Sequence, residues 1–204
     1  MNKLQNANDL YNVYPSCGMQ TQHTRNVISN YKTKFDKLII TFETIALKDR
    51  EMVLELFKNA AEKIEKMNVD HWQYWKNPPK EKIEWVEEGI EKNEFFFINE
   101  SNGKNIGMVR VLDEDLMYWG KQKEKTKYIH FLVVREEYNG KGIGSKVIHE
   151  IQKKAREENC KYLRLDADSK NVKLCQYYEK LGFKQVGTKR LPLSTNNLYQ
   201  KEIQ

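Results

Sequence analysis

The order of strand and helix signals in the chain predicts an α+β domain around a single mixed β-sheet. Three observations carry this reading. Apolar residues switch repeatedly between alternating and helical spacing, the run KYIHFLVV is apolar enough to be a central strand, and no segment repeats another. Residues 1–36 are rich in Asn, Gln, Thr, Ser and Tyr with neither period, and read as an extension, disordered or draped over the surface; residues 37–204 hold the domain. KLIITFETIAL opens it as a strand. In KDREMVLELFKNAAEKIEKM, Val53, Leu56, Phe57, Ala60, Ile64 and Met67 share one helical face, with Asp49 placed as the N-cap. Pro78-Pro79 breaks that pattern, and Ile83, Val86 and Ile90 resume it in a second helix. EFFFINE and NIGMVRVLDED are antiparallel strands joined by a turn at Ser101-Asn102-Gly103, and KYIHFLVV follows. Ile143, Val147, Ile151 and Ala155 mark a third helix, KYLRLDAD a strand, and NVKLCQYYEKLG a helix with Leu174, Tyr177, Tyr178 and Leu181 on one side. FKQVGTKR and LYQKEI close the sheet. The predicted order is β, α, α, three strands, α, β, α, β, β.

Composition narrows the function classes. Hydrophobic residues at 39% and charged residues at 31% describe a globular chain, and no apolar run approaches the roughly 20 residues of a membrane span. The N-terminal stretch has no apolar segment after its first lysine, so no secretory signal is expected and a cytoplasmic location is. Cys17, Cys160 and Cys175 are widely spaced and read as reduced thiols, two of them buried; with no CxxC pair and no clustered histidines, no metal site is expected. A net charge of +6 suits an anionic partner, nucleic acid or a phosphorylated small molecule. The densest basic run, Lys121, Lys123, Lys125 and Lys127, has no interleaved aromatics and reads as a solvated loop, so nucleic acid is not expected as a partner.

The sharpest local feature is the stretch YNGKGIGSK, with Gly140, Gly142 and Gly144 between a strand and a helix. Alternating glycines let backbone pass close to a ligand, and the amides and dipole of a helix N-terminus attract phosphate. A dinucleotide fingerprint fits poorly: its last glycine would be Ser145, five residues separate the strand from Gly140, and too little chain follows Asp166 for a second nucleotide-binding half. A Walker loop fails because no GK[ST] is present.

The stretch from Val134 to Phe183 resembles the GNAT superfamily of acyl-CoA-dependent N-acyltransferases. Its pyrophosphate loop, [QR]-x-x-G-x-[GA], falls on Asn139, Gly140, Lys141, Gly142, Ile143 and Gly144, with Asn139 where the family usually has Arg or Gln. A second motif falls on Asn171, Tyr178, Gly182 and Phe183. NVDHW, YIHFLVV and LRLDADSKN are similar to a bacterial subgroup of small-molecule acetyltransferases, whose usual Arg of IHRL is Phe131 in this chain. The resemblance implies a GNAT fold with a splayed strand at the acyl-CoA site, acetyl-CoA or coenzyme A as the cofactor, and direct attack of a small-molecule primary amine on the thioester. Alternatives are a protein or peptide N-acetyltransferase and a non-catalytic CoA-binding sensor. A homodimer is compatible with either.

The same resemblance implies roles residue by residue. Tyr178 stands at the general-acid position for the leaving thiolate, and its other reading is a core aromatic. Backbone groups of Leu132, Val133 and Val134 would serve pantetheine and the oxyanion. The loop from Asn139 through Ser145 would hold pyrophosphate, and Asn171 is an N-cap, a CoA contact or both. His130 is a general base or a satisfied core histidine, grouped by strand alternation with Leu132 and Val134 against Ile129, Phe131 and Val133. Asp166 and Asp168 are amine anchors or cap and turn residues, with Asp166 the one assigned to the site. Trp72, Trp75 and Trp119 are an aromatic wall for the amine or simple packing. Tyr177 reads as packing, and His149 as solvated.

Overall fold

The computed structural model describes residues 38–66, 72–192 and 194–204. The expected extension at 1–36, with Cys17 and His23, and also Met67, lie outside the described residues. The elements run β1 (Ile40–Thr44), α1 (Arg50–Glu65), α2 (Lys80–Glu91), β2 (Phe95–Glu100), β3 (Asn105–Leu112), α3 (Leu116–Trp119), β4 (Thr126–Val134), α4 (Ile143–Glu157), β5 (Tyr162–Asp168), α5 (Val172–Lys180), β6 (Lys184–Arg190) and β7 (Thr195–Glu202). Seven strands form one sheet in the order β1-β2-β3-β4-β5-β7-β6. Each neighbouring pair is antiparallel except β4 with β5. The α+β expectation and its element order hold, with short turns of helix added.

The helices divide between the two faces of the sheet. On one side α4 buries all four expected residues, Ile143, Val147, Ile151 and Ala155, against Ile106, Val109, Ile129 and Leu163 of the strands. On the other, α1 and α2 cover Phe95, Phe97, Met108 and Val133. The buried stripe of α1 is Val53, Leu56, Phe57 and Ala61; Ala60 and Ile64 lie half-buried at its margin. Asp49 precedes α1, but its side chain makes no cap bond, because a 3-10 turn at Leu47–Asp49 already leads into the helix. Cys160 and Cys175 are both buried and free.

Two departures from strand periodicity position the site. The strand expected through Asp115 ends at Leu112, and the Asp115 carboxylate accepts the Tyr118 N–H at 3.1 Å to start α3. Aspartate competes for nearby amides better than it sits in a ladder, so it favours the cap. The second departure is a bulge between β3 and β4. Met108 pairs with Val133 but Arg110 with His130, so the β4 strand holds one residue more than its partner. Phe131 takes up the kink at φ 50°. Gly107 permits it, because a Cβ there would fall 2.1 Å from the Val133 carbonyl oxygen.

The bulge overturns the alternation expected along β4. Leu132 and Val134 pack with Ile129 on the α4 side, while Phe131 and Val133 pack on the α1 side. One extra residue reverses the parity of everything after it.

Candidate active site

The parallel pairing of β4 with β5 stops at Ile129 opposite Leu165. Beyond that point the strands diverge, and a cavity of about 730 Å³ opens in the fork. Leu132, Val133 and Val134 line it, so backbone on the β5 side of β4 faces the cavity instead of a ladder partner. Trp72, His130 and Asp166 line one part of the wall, and Asn171, Tyr177 and Tyr178 of the α5 region another.

At the fork, His130 bridges two carboxylates. Its Nε2 lies 3.0 Å from Asp115 Oδ2 and its Nδ1 3.3 Å from Asp166 Oδ1, with all three side chains at most 11% exposed. Asp166 also accepts from the Asn196 side-chain amide, and Asn196 in turn accepts the Ser194 hydroxyl at 2.7 Å. The Tyr118 ring stands 5.4 Å from that of His130, and Tyr118 lines the cavity. Both imidazole nitrogens are therefore engaged with acids. Asp168, by contrast, accepts the Lys170 N–H in a turn.

Tyr178 is half-buried on α5. Among the described residues its hydroxyl has no hydrogen-bond partner, while its ring packs against Phe183 and Tyr199. Protein surrounds the phenol on most sides; this desolvation, and next the Asp166 carboxylate, push its pKa well up. It stays a neutral donor throughout the physiological range. Asn171 caps α5, accepting the Leu174 N–H at 3.2 Å, and also lines the cavity.

The glycine loop adjoins this cavity. Gly140 and Gly142 take φ of 70° and 74°, and hydrogen bonding into α4 starts at the Lys146 N–H on the Gly142 carbonyl. The amides of Ile143, Gly144 and Ser145 therefore have no partner within the helix. A Cβ on Gly142 would meet only Ser145 Oγ, at 3.8 Å, which leaves room for a ligand against the backbone. Gly144 lies against a side chain: a Cβ there would be 2.9 Å from the Tyr177 hydroxyl, which would have to move. Tyr177, expected as packing, thus joins the loop to the cavity.

The family model described as the acetyltransferase (GNAT) family matches residues 61–183. The chain belongs to the GNAT acetyltransferase family. Among curated proteins it is 32% identical over 123 residues to the SPbeta prophage-derived uncharacterized N-acetyltransferase YokL of Bacillus subtilis; the match covers 59% of this chain and 65% of that relative. A GNAT-family acetyltransferase of Listeria monocytogenes superposes with a TM-score of 0.66 at 23% identity, covering 80% of this chain and 94% of that one. The aminoglycoside acetyltransferase AAC(6')-Ib, solved with coenzyme A and kanamycin, gives a TM-score of 0.60 at 19% identity, covering 80% and 95%. These two structures bear on the fold.

GNAT enzymes use acetyl-CoA, and this chain has features that fit it: an open glycine cradle, helix amides without a partner in the helix, and a forked strand. Of the tryptophans expected as an amine wall, only Trp72 lines the cavity. Trp75 is 1% exposed and stacks on Phe57 at 4.1 Å, deep under α1. Trp119 turns away to pack on Tyr128 and beneath the Arg164 guanidinium. Tyr118, its neighbour in α3, takes the cavity position, and Phe131 stands beside Trp72 with ring centroids 5.2 Å apart. Sequence reasoning missed Asp115, Tyr118 and Asn196. Asp115 and Tyr118 are separated by a cap spacing that was legible in advance, whereas nothing local marks Asn196.

Proposed function

We propose that this acetyltransferase moves the acetyl group of acetyl-CoA to a primary amine of a small molecule, with residues 37–204 as the catalytic domain and the cytoplasm as its location. The observation that carries the reading is one cavity lined by an unpartnered phenol, Tyr178, and by His130 with Asp166, the Asp115 carboxylate standing behind the imidazole. Acetyl-CoA supplies an activated thioester; the protein's residues do the rest. Loop amides from Gly140 to Ser145 and the α4 dipole attract phosphate, while the Asn139 amide is held by the Glu136 carbonyl. Main-chain groups of Leu132, Val133 and Val134 orient the acyl arm along β4. Tyr178 is the hydrogen-bond donor that stabilises the departing sulfur, its raised pKa keeping the phenol protonated.

Two carboxylates around one imidazole keep this end of the cavity anionic whether His130 is protonated or neutral. That favours an ammonium acceptor, with Trp72, Tyr118 and Phe131 as an aromatic wall. Asp166 is the anchor and first proton acceptor. His130, with a carboxylate beside each ring nitrogen, positions Asp166, which is nearer the second of the two readings the sequence left open for it, a satisfied histidine, than the first, a general base. No helix among the described residues is long and apolar enough to cross a membrane.

The test is release of CoA from acetyl-CoA over a panel of polyamines, aminoglycosides, simple alkylamines and peptides with free N-termini. Turnover with small amines and none with peptides supports the proposal. Turnover with peptides alone would make the chain a peptide acetyltransferase, and tight CoA binding with no turnover on any amine would make it a sensor.

A further inference from the structure

Asn139, at the head of the glycine loop, carries no charge, yet its side chain is engaged from across the fork. Lys63 of α1 donates its Nζ to Asn139 Oδ1 at 2.7 Å, a contact between residues 76 apart in sequence. Lys63 is half-buried and lines the cavity. Among the described residues no carboxylate lies within ion-pair distance of its ammonium. Burial pushes its pKa down, and the more distant Glu136 carboxylate pushes it up. An ammonium has three N–H donors, and Asn139 takes one. A cation partly withdrawn from water gains from an anion beside it.

Arg135, Lys66 and Lys173 also line the cavity, but none of them is bonded to the loop, and two cations next to it have partners of their own. Lys141, within the loop, donates to the Glu137 carbonyl and lies over the Tyr138 ring at 5.2 Å. Arg135 Nε donates to Asn105 Oδ1 at 3.0 Å. Lys63 is thus a cation tied to the first residue of the loop and facing the cavity as well.

We propose that Lys63 supplies the positive charge of the diphosphate site, reaching from α1 to the loop whose own first residue is neutral. This rests on the acetyl-CoA reading of the site. It assigns to α1 a cofactor contact that the glycine motif does not contain, and it makes Asn139 the anchor that aims the lysine. A charge-assisted contact of this kind is expected to tighten binding by about 10- to 100-fold.

The experiment is calorimetric titration of the full chain with CoA, 3′-dephospho-CoA and pantetheine, for the wild type, Lys63→Met and Lys63→Arg. Methionine keeps the apolar stem and removes the charge. The expected result is that Lys63→Met weakens CoA and dephospho-CoA about equally, by about tenfold or more, and leaves pantetheine unchanged, while Lys63→Arg stays within about threefold of the wild type. Unchanged CoA affinity in Lys63→Met would overturn the proposal. A loss confined to CoA would assign Lys63 to the 3′-phosphate, and a loss that extends to pantetheine would make it structural; either overturns the diphosphate assignment. Wild-type protein that binds none of the three would overturn the acetyl-CoA reading along with it.

Discussion

Gly107→Ala should damage both the fold and the acyl site, because the glycine is where β3 passes closest to the β4 bulge. An alanine Cβ would lie 2.1 Å from the Val133 carbonyl oxygen and 3.1 Å from both Val133 C and Val134 Cα. An ordinary carbon–oxygen contact is about 3.3 Å or longer, so the strands must part by about 1 Å at this point. All three atoms belong to backbone, which has no rotamer to yield. The separation loosens the Gly107–Val134 pair and the Arg135 N–H bond to the Ile106 carbonyl, now 2.9 Å. Overpacking of this kind costs about 3 kcal/mol, which for a domain of this size lowers Tm by about 6–12 °C. Since Val133 and Val134 line the cavity, CoA affinity should fall with it. Calorimetric melting and CoA titration of Gly107→Ala measure both. A variant that melts within about 2 °C of the wild type and binds CoA normally would refute the claim that the bulge depends on this close approach.

Tyr178→Phe should lower kcat by about 100-fold or more while leaving Tm and CoA affinity nearly unchanged, since the hydroxyl has no protein partner to lose; steady-state kinetics with calorimetry read both. Glu94→Gln should destabilise by about 3 kcal/mol, because it strips the charge partner from Arg110, whose side chain is 7% exposed and stacked over Trp85. Combining Glu94→Leu with Arg110→Met should recover most of that loss in a melting experiment, as removal of both charges leaves neither stranded. The phenols of Tyr118 and Tyr178 have folded-state pKa values raised by burial above their ordinary 10.0. Their contribution to stability is therefore complete below pH 10 and is lost as pH rises through the folded-state values. Alkaline titration should show phenolate absorbance from these two appearing at higher pH than that of the exposed tyrosines, and ionisation together with the exposed ones would contradict the desolvation.

What the sequence determined by itself is whatever depends on near neighbours. Period-two and helical spacing are set within a few residues, so the element order and the buried stripe of α4, Ile143 through Ala155, were legible. The glycine loop and the Asn171–Tyr178 spacing lie on continuous segments, and Asn171 does cap α5. Tertiary structure decided what depends on pairing between distant segments. The β4 alternation failed after His130 because a single inserted residue reverses side-chain parity, and only the register against β3 reveals the insertion. Trp75 and Trp119 do not line the cavity, whereas Tyr118 and Phe131 do, because an aromatic run does not say which ring a core absorbs. The carboxylates around His130 come from residues 15 and 36 positions away, at 115 and 166, and Lys63 meets Asn139 across 76 positions. Local periodicity says nothing about such contacts; they exist because the strands fork after Ile129, and the fork leaves polar groups of β4, β5 and α1 facing one space.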